Sequence, residues 1–166
     1  MTLVPGGRAT RAATIKDMAA VLAYTGAALV AVWGLAHVMP TRQVLGGFEP
    51  ITADNRRIIA QEWLAEAFTM WGTAAIIIAA TAAPGTAPDT RAWVYRTASA
   101  LLVSLAALTA VTGARTPVIW FKICPVLLAA AALLLLIASF SKSSLLIRGL
   151  CCSFRQPGHL SAGLPG

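Results

Sequence analysis

Four long apolar runs, each bounded by turn-forming residues, leave this chain few ways to fold. Residues 18–39 contain no Asp, Glu, Lys or Arg, and a shorter run without them spans residues 67–83. A helix needs about 20 apolar residues to cross the ~30 Å hydrocarbon core of a bilayer, and within that core only helices and closed barrels satisfy their own backbone. Adding a polar entry turn to the second run, and two further apolar runs, gives spans at residues 18–39, 62–83, 92–113 and 117–140. The expectation is an all-α polytopic membrane protein. Its four-transmembrane-helix bundle occupies residues 18–140, after an N-terminal segment at 1–17 and before a basic tail at 141–166.

Composition agrees with the bilayer as solvent. Hydrophobic residues make up 58% of the chain and charged residues 11%, whereas about a quarter of a soluble domain is charged. The 166 residues are expected to hold one membrane domain and a short tail, with no room for a separate soluble catalytic domain. The net charge of +7 comes from Lys and Arg scattered over helix ends and loops, with no basic run. That pattern suits lipid headgroups and membrane topology and argues against nucleic acid as a partner. The three cysteines form no CxxC and no zinc spacing. Cys124 lies in an apolar run as a small packing residue, and Cys151–Cys152, adjacent in the tail, are candidates for lipidation.

The run from Met18 to Met39 is longer than the apolar core of a signal peptide, so it reads as an uncleaved first span that ends before Pro40. Gly46–Gly47 and Glu49–Pro50 mark residues 40–53 as a loop. Thr52 or Asp54 can cap the next helix, which enters the hydrocarbon near Ala67. A second loop follows at 84–91. The very short link at 114–117, with Thr116 as cap and Pro117 at the first helical position, makes spans three and four antiparallel neighbours. Pro125 predicts a kink just beyond Lys122. In the tail, Leu145 to Phe154 reads as a basic piece lying on the membrane surface. Eight Lys and Arg fall at the end that holds the termini and the second loop, and five at the other. The positive-inside rule then places both termini in the cytoplasm.

The unusual polar residues gather at the opposite end. His37 to Glu66 holds four of the six acidic residues, three arginines and one of two histidines. At 100° per residue, Asn55, Glu62, Glu66, Thr69 and Thr73 form one stripe on the second helix, expected to face the bundle interior. His37 shares a face with Gly26, Val30 and Gly34, where small residues admit a neighbouring helix, expected to be the second. Arg115 and Lys122 stand at the mouth of the fourth span. His37, Glu62, Glu66, Arg115 and Lys122 are therefore the candidate ligand or proton-relay residues. Three readings stay open: carboxylates paired with arginines among the headgroups, an internal ion-pair brace, and a working site. One histidine and two carboxylates without paired Glu-x-x-His elements do not call for a metal. Trp33, Trp63, Trp93 and Trp120 read as an interfacial aromatic belt, with Trp71 deeper, and Arg96 as a snorkelling residue.

Gly34-Leu-Ala-His37, Pro40-Thr-Arg-Gln-Val44, Asp54-Asn-Arg-Arg-Ile58, Glu62-Trp-Leu-Ala-Glu66 and Trp120-Phe-Lys-Ile-Cys-Pro125 resemble segments of small uncharacterised bacterial four-helix membrane proteins of the DoxX-like group. The resemblance covers about residues 15–140 and implies a four-helix membrane fold. For some members it implies quinone-coupled sulfur or thiol redox chemistry, whose catalytic residues have no counterpart here. The alanine-rich composition suits a GC-rich bacterium and hence a bacterial inner membrane. The resulting expectation is a non-enzymatic integral membrane protein, an accessory subunit or a binder of a small or lipidic ligand. Its partners would be the bilayer and a membrane protein or a second copy. The alternative is a DoxX-like redox component, for which quinone is the one cofactor in view. A third reading is a small proton-coupled transporter relaying through Glu66 and Lys122.

Overall fold

In the computed structural model the described residues are 6–48 and 50–141, with side chains from residue 13 onward. Glu49 of the first turn, the surface piece at Leu145–Phe154 and Cys151–Cys152 lie outside the described residues. Five α-helices follow in order: α1 Gly6–Val38, α2 Thr41–Gly46, α3 Ala53–Ala82, α4 Pro88–Val111 and α5 Ile119–Phe140. A 3₁₀ turn at Gly113–Arg115 links the last two. There is no strand among the described residues, and α1, α3, α4 and α5 are each long and apolar enough to cross a membrane. The chain is a multi-pass membrane protein built as a four-helix bundle.

Local chemistry sets the helix limits. The Thr52 hydroxyl accepts the Asn55 N–H at 3.2 Å and caps α3. Proline opens α4 at Pro88, where its missing N–H is harmless. The expected cap at the fourth span is not formed: Thr116 turns its hydroxyl back to the Gly113 carbonyl at 2.7 Å, and α5 starts two residues after Pro117, with Val118 at its N-cap. The loop expected at 40–53 contains the short helix α2. Nothing between Pro40 and Gly46–Gly47 breaks a helical turn, so the chain takes one. α5 runs through Pro125.

The four long helices form a ring. α1 packs on α3 and α5, α5 packs on α1 and α4, and α3 meets α4 over the smallest of the four seams. The start of α1, the α3–α4 loop and the end of α5 share one end of the bundle, here the terminal end. α2 and the α4–α5 link lie at the other. Buried positions recur at alternating steps of four and three: Ala23, Ala27, Val30, Gly34 and His37 on α1; Ala67, Met70, Ala74 and Ile77 on α3; Tyr95, Ser99, Leu102 and Ala106 on α4; Cys124, Leu128, Ala131, Leu135 and Ala138 on α5. A 3.5-residue period is the signature of knobs-into-holes packing, and small residues at these positions let membrane helices approach closely.

Among the glycines of the described residues, the tightest fit is at Gly34. A methyl group there would sit 2.8 Å from Nε1 of Trp71 and 3.3 Å from Cβ of Met70, both on α3. Gly72, on the outer side of α3, has nothing within 4 Å of the same position. Gly34→Ala is therefore expected to lower the thermal unfolding midpoint in detergent, at a cost of about 1–3 kcal/mol from overpacking. Gly72→Ala should leave it unchanged or raise it, because alanine is the better helix former. Equal effects from the two substitutions would contradict this packing.

Candidate functional site

The last turn of α1 meets α3 through a reciprocal contact. The Trp63 indole N–H donates to the His37 carbonyl at 3.0 Å, and His37 Nε2 lies 3.2 Å from the Trp63 carbonyl. The two rings stack with centroids 3.9 Å apart and planes 17° from parallel. Glu66 Oε2 lies 3.5 Å from the same Nε2. Both neighbours of Nε2 are acceptor oxygens, so this nitrogen carries the proton and donates. His37 is buried, while 31% of the Glu66 side chain remains exposed. The Trp63 ring also stands edge-on to Phe121 of α5, at 6.1 Å and 85°. Phe121 in turn fills the space beside Gly113, where a methyl group would come within 2.9 Å of it.

Two more indoles work the same way deeper in the bundle. Trp71 of α3 donates to the Ala31 carbonyl of α1 at 3.1 Å, and Trp33 of α1 donates to Cys124 Sγ of α5 at 3.1 Å. Trp33 and Trp63 are thus fasteners between helices and not members of an aromatic belt; Trp93 and Trp120 are exposed, at 65% and 59%. The step-of-four-and-three pattern carries the missed signal. Trp63 precedes Ala67, Met70, Ala74 and Ile77 in one inward stripe, and Trp33 belongs with Val30 and His37.

Of the five residues singled out in the sequence, the structure brings together His37 and Glu66. Glu62, Arg115 and Lys122 are exposed, and no ion pair between described residues joins them to that pair. Helical geometry explains Glu62: Trp63 takes the direction facing α1, and Glu62 lies about 100° away from it. Of the polar stripe on α3, Thr73 is buried in the bundle and Glu66 reaches His37, while the rest does not line the interior. Asn55, Glu62 and Thr69 are exposed, and the Thr69 and Thr73 hydroxyls donate to the carbonyls of Ala65 and Thr69 on their own helix.

This arrangement spends its polar atoms on itself. His37 Nε2, the indole N–H and both backbone carbonyls are mutually engaged, and the carboxylate of Glu66, 31% exposed, is open to a ligand or a proton. No group of three His, Cys, Asp or Glu residues that could hold a metal occurs among the described residues. No protein-family model, curated protein or solved structure matches the chain.

A double-mutant cycle separates brace from relay. His37→Ala and Trp63→Phe should each destabilise the bundle and couple by about 0.5–2 kcal/mol, as contacting residues in one network do. Glu66→Gln and Lys122→Met should show no coupling in the same thermal unfolding measurement. Coupling of the second pair and not the first would reverse the assignment.

Proposed function

We propose that this protein is a non-enzymatic accessory subunit of a bacterial inner membrane, with both termini in the cytoplasm, that presents the outer face of α3 to the transmembrane helix of a partner. That face carries the reading. Ala65, Thr69, Gly72, Ala75 and Ala79 are exposed within about 120° of one another on the helix surface. Gly72 has open space where a side chain would stand, and Phe68 and Ile76 project from the same face as knobs. The outer face of α5 is of the opposite kind, with Val126, Leu133, Ile137 and Phe140 exposed, and it suits lipid tails. Membrane helices associate through small residues that let backbones approach, because lipid is as apolar as leucine and supplies no hydrophobic drive.

The His37–Trp63–Glu66 cluster then has a supporting role. It holds α1 against the inner side of α3, so that the outer side is presented on a rigid helix. The excess of Lys and Arg at the terminal end supports the cytoplasmic placement of the termini, and the alanine-rich composition supports a bacterial membrane. A quinone-linked redox role draws on the DoxX-like resemblance, and no observation among the described residues favours it over the subunit reading.

Affinity-tagged protein extracted from its native membrane in lipid-preserving nanodiscs should migrate as a complex. Gly72→Leu combined with Ala79→Leu should leave the unfolding midpoint almost unchanged and release the partner. A complex of twice the chain mass would identify the partner as a second copy. A wild-type chain that migrates alone, or a complex indifferent to both leucines, would refute the subunit reading.

A further inference from the structure

Arg96 lies eight residues after Pro88, about 12 Å along α4 and one turn deeper than Trp93. The sequence leads one to expect a side chain that snorkels to the surface. Its side chain does reach back toward that end: the guanidinium carbon sits 5.1 Å from the ring centre of Phe140, the last residue of α5, and 5.7 Å from that of Trp93. Its Nε is fully covered and meets no acceptor, and no hydrogen bond or ion pair joins Arg96 to another described residue. Other arginines are provided for: Arg91 Nε donates to the Ala80 carbonyl at 3.0 Å, and Arg57 pairs with Asp54 at 3.0 Å. Asp17 and Asp89, the described acidic residues at this end, are exposed.

Two aromatic faces stabilise a guanidinium but accept none of its five N–H donors. A cation at the edge of the hydrocarbon without an acceptor is costly, so such residues recruit a partner. A phosphate fits this one best, since the two outer nitrogens of the guanidinium, which unlike Nε are not fully covered, match two of its oxygens and its charge cancels that of the arginine. We propose that Arg96 anchors the phosphate of an anionic phospholipid at the α4–α5 seam, at the terminal end of the bundle. The exposed faces of Trp93 and Phe140 flank it and suit the lipid's glycerol and upper acyl chains. A zwitterionic lipid brings its own cation beside the phosphate and satisfies the site less well. Lys16 and Arg91 at the same end add to the attraction for negative headgroups.

The test is native mass spectrometry of the full chain in mild detergent, titrated with phosphatidylglycerol, phosphatidylcholine or inorganic phosphate. The wild type should retain phosphatidylglycerol several-fold more than phosphatidylcholine, and millimolar inorganic phosphate should not displace it. Arg96→Gln should abolish that preference, while Arg57→Gln at the opposite end should leave it intact. Should Arg96→Gln fail to fold, Arg96→Lys decides: it keeps the charge without the fork, and a several-fold loss of retention supports the site. Equal retention of the two lipids, displacement by free phosphate, or unchanged preference in the Gln or Lys variant would overturn the proposal.

Discussion

An indole N–H within a bilayer has no water to bond, so it must find an acceptor in the protein. Three tryptophans here find theirs across a helix seam, and each of the three bonds has α1 on one side. Because apolar helices gain no hydrophobic advantage by leaving lipid, such bonds and the close approach permitted by small residues hold a membrane bundle together. The two work as one here. Gly34 lets Trp71 come within reach of Ala31, and Trp71 makes the approach at Gly34 worth having.

The same economy explains the cluster at the end of α1. A histidine and a carboxylate at membrane depth suggest chemistry, yet His37 is stacked on Trp63 and its Nε2 faces the Trp63 carbonyl before it faces Glu66. An indole and an imidazole that exchange contacts with each other's backbones form a latch. It fixes the register of α1 against α3 at one end of the bundle, and Thr81 with Tyr95, 2.7 Å apart, ties α3 to α4 at the other. Between those ends α3 and α4 share their bundle's smallest seam.

The fold was legible in the sequence wherever hydropathy and breakers speak: four apolar runs, Thr52 ahead of α3, and a link between α4 and α5 too short for anything but antiparallel neighbours. Less legible was how far helices extend past the apolar runs. α1 begins at Gly6 although its apolar run begins at residue 18, since hydropathy registers the hydrocarbon and not the helix. Of the candidate site, the approach of His37 to α3 follows from the glycines on its face. The exclusion of Glu62 does not, because it depends on which of Glu62 and Trp63 turns toward α1. That choice is visible only when Trp63 is counted into the inward stripe of Met70 and Ile77. The fate of Arg96 was hidden for a related reason: Phe140 stands 44 positions away in the chain, and only the α4–α5 seam brings the two together.

A bundle held by indole donors makes a sharp claim about individual protons. Hydrogen exchange of the five tryptophan side chains, followed by ¹H–¹⁵N NMR of the protein in lipid nanodiscs, reads those protons directly. Slow exchange is expected at Trp33, Trp63 and Trp71 and fast exchange at Trp93 and Trp120. Five indoles exchanging at one rate, or slow exchange confined to Trp93 and Trp120, would contradict that claim.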